Sequence, residues 1–108
     1  MKVLSCLILL SLVTSVAMAG EIYGTIIEAG KPVSEGTKVE VTVAGKTFTG
    51  ATDKLGTYHV QASEKGKGTL TVYYKDQKPT ADVFSIEKAN RYDYTMETVD
   101  GKLSLKRK

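Results

Sequence analysis

His59 is the residue best suited to acid–base chemistry in this chain, because it is the sole histidine of the sequence. A serine or cysteine nucleophile needs a positioned base, and His59 would have to supply it. However, His59 alternates with Tyr58 and Val60 in a pattern that places it on the outward face of a strand. We therefore predict that His59 is an exposed polar residue and that the protein is not an enzyme.

Metal and phosphate binding are also not predicted. Asp53 could indicate a calcium loop, but the acidic ligands that follow at alternate positions in such loops are missing. The glycine-containing run 64–68 could indicate a phosphate loop, but no helical pattern follows it to supply converging N–H groups. We expect no cofactor and no metal site.

Two tyrosines give the sequence its one indication of a binding surface. Tyr73 has the outward phase of its strand, whereas the phase of Tyr23 stays open because isoleucines surround it on both faces. Exposed tyrosines can stack on sugars or anchor a protein, and a cross-strand pair that only stabilises the sheet is the simpler alternative. If strands 57–62 and 69–74 pair as a hairpin, His59 falls opposite Tyr73 and the two form a weak binding patch. A topology that separates these strands would remove the patch.

Alternation of apolar and polar residues dominates the chain after residue 20 and predicts strands with one buried face. Val39, Val41 and Val43 are the clearest case, because polar residues separate them. The same alternation covers 58–62, 70–74 and 92–96, and weaker runs rich in β-branched or aromatic residues cover 22–27, 46–52 and 81–86.

Turn residues separate these runs at intervals of about 8–12 residues, as is typical of a sandwich or barrel. Asp53–Gly56 suits a type I turn. Asp100–Gly101 suits a two-residue hairpin whose register sets Met96 opposite Leu105. We predict an all-β fold, an antiparallel β-sandwich of about seven or eight strands.

The first nineteen residues predict a cleavable secretory signal peptide. Lys2 precedes an apolar run over 3–16, and Ala17-Met18-Ala19 supplies the small residues that a signal peptidase recognises. Cleavage between Ala19 and Gly20 would leave a single domain over 20–108. The alternative is a membrane anchor, but the run is at the short limit for a spanning helix and no cationic cluster follows it.

Export would remove Cys6, so neither a disulfide nor a cysteine-based metal site is expected in the mature domain. The whole chain carries 15 Lys and Arg against 12 Asp and Glu, and three of these cations are the terminal Lys106-Arg107-Lys108. A nucleic-acid binder needs basic residues clustered on a face, so no nucleic-acid partner is expected. We predict a periplasmic or secreted protein without a stable membrane anchor after cleavage.

Several short motifs then follow one another in an order that resembles a known family. They are Gly24-Thr25-Ile26, Gly30-Lys31-Pro32-Val33, Gly36 ahead of Val39-Glu40-Val41, Thr52-Asp53-Lys54-Leu55-Gly56-Thr57-Tyr58, and Gly68 ahead of a further strand. This order resembles the carboxypeptidase regulatory-like domain, a prealbumin-like (transthyretin-like) β-sandwich. The resemblance implies that Thr52, Asp53, Gly56 and Tyr58 form a structural turn motif. From the residues themselves, we expect Tyr58 to begin a buried face with its hydroxyl able to reach the rim of the sandwich. Members of the family are accessory, adhesive or binding modules, so the fold alone does not name a ligand.

Transthyretin-like domains also include hydroxyisourate hydrolases, which use several histidines, an arginine and a C-terminal Tyr-Arg-Gly-Ser. This chain has His59 alone and ends in Ser104-Leu105-Lys106-Arg107-Lys108, so that resemblance fails at the catalytic positions. We therefore expect a non-enzymatic exported module that binds or braces another envelope or extracellular protein. A carbohydrate-binding module that uses exposed tyrosines is the alternative.

Overall fold

The computed structural model describes residues 20–108, which form ten β-strands and no helix. The strands are β1 (Glu21–Glu28), β2 (Lys31–Pro32), β3 (Lys38–Val43), β4 (Lys46–Ala51), β5 (Thr57–Gln61), β6 (Gly66–Tyr73), β7 (Thr80–Ser85), β8 (Asn90–Arg91), β9 (Tyr94–Val99) and β10 (Lys102–Arg107). The all-β class and the packing of two sheets, both predicted from the alternation, are confirmed. The predicted signal peptide, residues 1–19, lies outside the described residues.

The first sheet is built around β1. Strands β5 and β2 pair with β1 antiparallel, β8 and β9 pair with it parallel, and β10 continues the sheet beyond β9. The prediction of antiparallel pairing is therefore wrong for two pairs. The reason is that β8 and β9 reach β1 after a long crossover, whereas a tight turn would have forced the antiparallel direction.

The second sheet has the order β4-β3-β6-β7 and is antiparallel throughout. Val41 lies at its centre, between Phe48 of β4 and Leu70 of β6. The conditional hairpin between strands 57–62 and 69–74 does not form, because β6 pairs with β3 and β7 while β5 pairs with β1.

The hydrophobic core lies between the sheets and takes alternate residues from each strand. In β3, for example, Val39, Val41 and Val43 are buried while Lys38 and Thr42 are exposed. Burial of one such side chain contributes about 1.5–3 kcal/mol, so a core of this kind can stabilise the fold without a disulfide. The core comprises Ile22, Ile26, Val33, Val39, Val41, Val43, Tyr58, Val60, Ala62, Leu70, Val72, Val83, Tyr92, Tyr94 and Met96.

The last hairpin has the predicted register. Asp100 and Gly101 both adopt positive φ, 53° and 79°, which is the conformation of a type I′ turn. Val99 is then opposite Lys102 and Met96 is opposite Leu105. Leu105 is half-buried against the core, so β10 contributes apolar contact as well as ladder hydrogen bonds.

Candidate functional site

The turn motif is structural. The Asp53 carbonyl accepts a hydrogen bond from the Gly56 N–H at 3.0 Å, and Gly56 adopts a φ of 76° that favours glycine. The Asp53 Oδ1 accepts the N–H groups of Leu55 and Thr57 at 2.9 and 3.0 Å. These two N–H donors, that of Thr57 first, hold the pKa of Asp53 below its usual range.

Thr52 connects this turn to the loop that precedes β3. Its hydroxyl donates to the Ser34 carbonyl at 2.7 Å and accepts the Thr37 N–H at 3.0 Å. Thr52 is buried, and all its polar contacts are internal to the domain. The residue therefore holds two loops together and presents no group to a ligand.

The Tyr58 hydroxyl does not reach the rim of the sandwich, so that expectation is wrong, although the buried face expected to begin at Tyr58 is present. The side chain is fully buried, and its hydroxyl donates to the Tyr92 carbonyl at 2.6 Å. Gly24 is the cross-strand partner of Tyr58, and a Cβ at Gly24 would come within 1.9 Å of the same carbonyl oxygen. The missing side chain lets residue 92 close over the core. Burial raises the pKa of Tyr58 far above its ordinary value.

His59 and Tyr73 lie in different sheets, so the patch that would have combined them is not formed. His59 is opposite Tyr23 of β1, and their rings stack with centroids 5.8 Å apart. The Arg91 guanidinium lies 5.8 Å from the centroid of the Tyr23 ring. The outer face of the first sheet thus carries a row of Arg91, Tyr23 and His59, which sequence reasoning missed because the phase of Tyr23 was open.

A carboxylate completes this row. The Glu21 Oε2 lies 2.7 Å from the His59 Nδ1, with 61 % of the histidine side chain and 34 % of the glutamate side chain exposed. An exposed pair of this kind contributes little to stability, because solvent screens it. Acyl transfer would also need an activated nucleophile in contact with the imidazole, whereas the partners of His59 are a carboxylate and an aromatic ring.

Tyr73 belongs to a second cluster, on the outer face of the second sheet. Its hydroxyl donates to the Glu40 Oε1 at 2.5 Å, and this bond, followed by the hydrogen bond from Lys38, holds the pKa of Glu40 below its ordinary value. The ammonium groups of Lys38 and Lys78 lie 4.9 and 5.6 Å from the centroid of the Tyr73 ring. The ring is half-buried and in contact with cations of its own chain.

Three of the four sheet edges carry at least one feature that opposes pairing with a further strand. At β7, the Tyr92 hydroxyl accepts the Phe84 N–H at 2.9 Å and the Asn90 side chain donates to the Phe84 carbonyl at 3.1 Å. At β5, Asp53 bonds the outward groups of Thr57, accepting its N–H and donating to its carbonyl.

The β10 edge is blunted mainly by charge. Lys102, Lys106 and Arg107 lie along the strand, and the Leu103 N–H is bound by the Gln77 side chain at 2.8 Å. Cationic side chains on an edge strand oppose pairing with another chain.

Beyond Lys46 at its start, which pairs with Glu64 at 3.1 Å, the β4 edge lacks these devices. Residues 47–52 carry no charge and no proline. Thr47, Thr49 and Ala51 are opposite Thr42, Glu40 and Lys38 of β3, and all three are exposed. Because a two-residue turn joins β3 to β4, alternation of the ladder points the N–H and C=O of these three residues away from β3. Across residues 20–108 we find no hydrogen bond to these outward-pointing main-chain groups. The uncharged run was visible in the sequence, but its position at an edge was not.

Neither a metal cluster nor a membrane span is found in the part of the chain that the structure describes. No group of three or more His, Cys, Asp or Glu side chains there could hold an ion. No helix there is long and apolar enough to cross a bilayer.

Comparison with known proteins assigns the chain to no family. No protein-family model and no curated protein matches it. Part of the 9R-lipoxygenase from Cyanothece PCC8801 is similar in structure, with a TM-score of 0.40 and 18 % identity over 78 % of this chain. The match spans 17 % of the lipoxygenase chain. A likeness at this TM-score transfers neither a fold family nor an activity.

Proposed function

We propose that the chain is an exported, non-enzymatic β-sandwich module that binds another protein of the cell envelope or extracellular space. The observation that carries the proposal is the open edge of β4. An extended segment of a partner can add to such an edge as a further strand, with main-chain hydrogen bonds for affinity and side-chain contacts for specificity. Thr47, Thr49 and Ala51 offer the necessary backbone groups.

We also propose that the chain is exported and that its domain belongs to the family whose motifs it resembles. Residues 1–19 would be the signal peptide and 20–108 a carboxypeptidase regulatory-like domain of prealbumin-like fold, periplasmic or secreted. The Gly20 carbonyl accepts the Ala62 N–H at 2.9 Å, so contacts of the sandwich reach the residue that directly follows the proposed cleavage site. The family motif over Thr52–Tyr58 forms the turn and the buried hydroxyl contact described above, which supports a structural role for it.

A binding role is favoured over a hydrolytic one by the surroundings of His59. The imidazole is exposed and paired with Glu21, in a place where solvent screens the pair. A histidine that acts as the base in hydrolysis needs a nucleophile within hydrogen-bond reach, and the described contacts of His59 are with Glu21 and the Tyr23 ring.

The carbohydrate-binding alternative is weakened by what surrounds the two tyrosines. A sugar stacks on an open aromatic face, but Lys38 and Lys78 already approach the ring of Tyr73, and His59 and Arg91 flank that of Tyr23. A glycan would have to displace these contacts before it could stack.

Site-specific photo-crosslinking in the native host tests the proposal. A photoreactive residue replaces Thr49 on the β4 edge or, as the matched control, Thr69, which is exposed on the same face of the central strand β6. We expect a protein adduct from position 49 and none from position 69. Absence of an adduct at 49, or an equal adduct at both positions, would refute binding through this edge.

A further inference from the structure

The partner of the β4 edge can be argued from the strand itself. The three outward-pointing residues, Thr47, Thr49 and Ala51, are evenly spaced about Thr49. If a second β4 is laid antiparallel with the two Thr49 residues opposite each other, Thr47 of each copy falls opposite Ala51 of the other. All three outward-pointing residues of one copy then meet outward-pointing residues of the other, which gives about six N–H···O bonds.

Side chains and charges are compatible with this register. The facing side chains are threonine against threonine and threonine against alanine, all small and uncharged, and cross-strand threonine pairs stabilise sheets. Lys46, the charged residue of β4, falls opposite Thr52 rather than opposite its own counterpart. Like charges therefore do not meet directly across the ladder. Glu40 is one strand further in, so the two Glu40 side chains are separated by three strand spacings, about 14 Å.

We infer that a second copy of this chain occupies the β4 edge, forming a symmetric dimer in which the two four-stranded sheets join into one. This inference rests on the proposed function, because it names the protein that the edge binds. One strand pair buries less surface than a standard protein interface, so the dimer is weak and its population depends on concentration. The two-fold contact uses the same edge of both copies, so it closes on itself and assembly through this edge ends at two copies.

Charge exchange at Thr49 tests the two-fold register. In Thr49→Lys, like charges face each other across the axis, and so they do in Thr49→Glu. We expect each variant to dimerise about five- to tenfold more weakly than the wild type. An equimolar mixture should recover dimers, with Lys opposite Glu. Thr69→Lys makes the same change on a central strand and should dimerise like the wild type. Sedimentation velocity over a concentration series measures the dissociation constants, native mass spectrometry identifies the mixed dimer, and circular dichroism confirms that each variant is folded.

Three results would overturn the inference: a wild type that is monomeric up to the highest soluble concentration, Thr49 variants that dimerise like the wild type, or a mixture that shows no preference for the mixed dimer. The photoreactive residue at position 49 separates this failure from failure of the proposed function. An adduct to a different protein, with a monomeric purified chain, overturns the dimer and supports the binding role. No adduct at all overturns both.

Discussion

Two buried tyrosines allow a matched test of the interior. Tyr58→Phe removes a hydroxyl that donates to the Tyr92 carbonyl at 2.6 Å, whereas Tyr94→Phe removes a buried hydroxyl for which the described residues provide no partner. Ring volume is conserved in both variants, so neither opens a large cavity. The difference between them isolates the hydrogen bond.

The expected magnitude follows from what each variant leaves behind. Tyr58→Phe strands a buried carbonyl, which costs about 1–3 kcal/mol of unfolding free energy. Tyr94→Phe removes a hydroxyl whose burial costs desolvation free energy that no hydrogen bond within the described residues offsets. Burial also raises the pKa of Tyr94 to about 12. Its unfolding free energy should be unchanged or higher.

Equilibrium denaturation in urea measures both variants against the wild type, with equal m-values as the check that each unfolds in two states. In a domain of this size, about 1 kcal/mol corresponds to a shift of roughly 4–8 °C in Tm. Equal losses in the two variants would refute the reasoning, because the cost would then come from removing a buried hydroxyl rather than from the bond to Tyr92.

Three further variants test the turns and close approaches. Gly56→Val should lower the unfolding free energy by about 1–3 kcal/mol, because a β-branched residue resists positive φ; an unchanged denaturation midpoint would contradict the turn. Asp53→Asn should destabilise the protein at pH 7. Because folding lowers the pKa of Asp53, its stabilisation is present above the unfolded pKa and is lost as pH falls through the folded pKa. In urea titrations from pH 7 to pH 2, the difference in unfolding free energy between variant and wild type should shrink, and a constant difference would show that the Asp53 carboxylate is not its cause. Gly24→Ala places a Cβ 1.9 Å from the Tyr92 carbonyl oxygen and should lower the thermal stability several times more than Gly30→Ala, whose Cβ meets no atom within 4 Å and whose cost comes from its φ of 79° alone; equal costs would contradict the close approach at Gly24.

The sequence predicted which face of most strands is buried, but it did not predict which strands lie next to each other in the sheets. Period-two alternation identified the buried side of β3, β5, β6 and β9, because one face of each of these strands meets the core, but it left that of β1 open. It could not identify which strands pair, since His59 and Tyr73 both have an outward phase and either could have lain beside the other. Pairing is decided by crossovers such as that between β1 and β9, which leave no local signal in the chain.

The turns were predictable because their conformation depends on adjacent residues, whereas the topology depends on contacts between residues that are far apart in the sequence. Asp100–Gly101 has an intrinsic preference for the two-residue hairpin, and the register of β9 and β10 follows from that turn alone. The position of the Tyr58 hydroxyl, by contrast, depends on Tyr92, which is 34 residues away in sequence. A motif confined to residues 52–58 holds no information on that contact.

Charged substitutions that oppose pairing with another chain would cost the fold little packing free energy on β4. β3 supplies three buried valines to the core, whereas β4 supplies the half-buried Phe48 and exposes both of its threonines and Ala51. Lysines at these exposed positions would cost little packing and would blunt the edge as they do on β10. The chain instead keeps small uncharged residues at all three of these exposed positions, a composition that the proposed pairing of β4 with a second copy would explain.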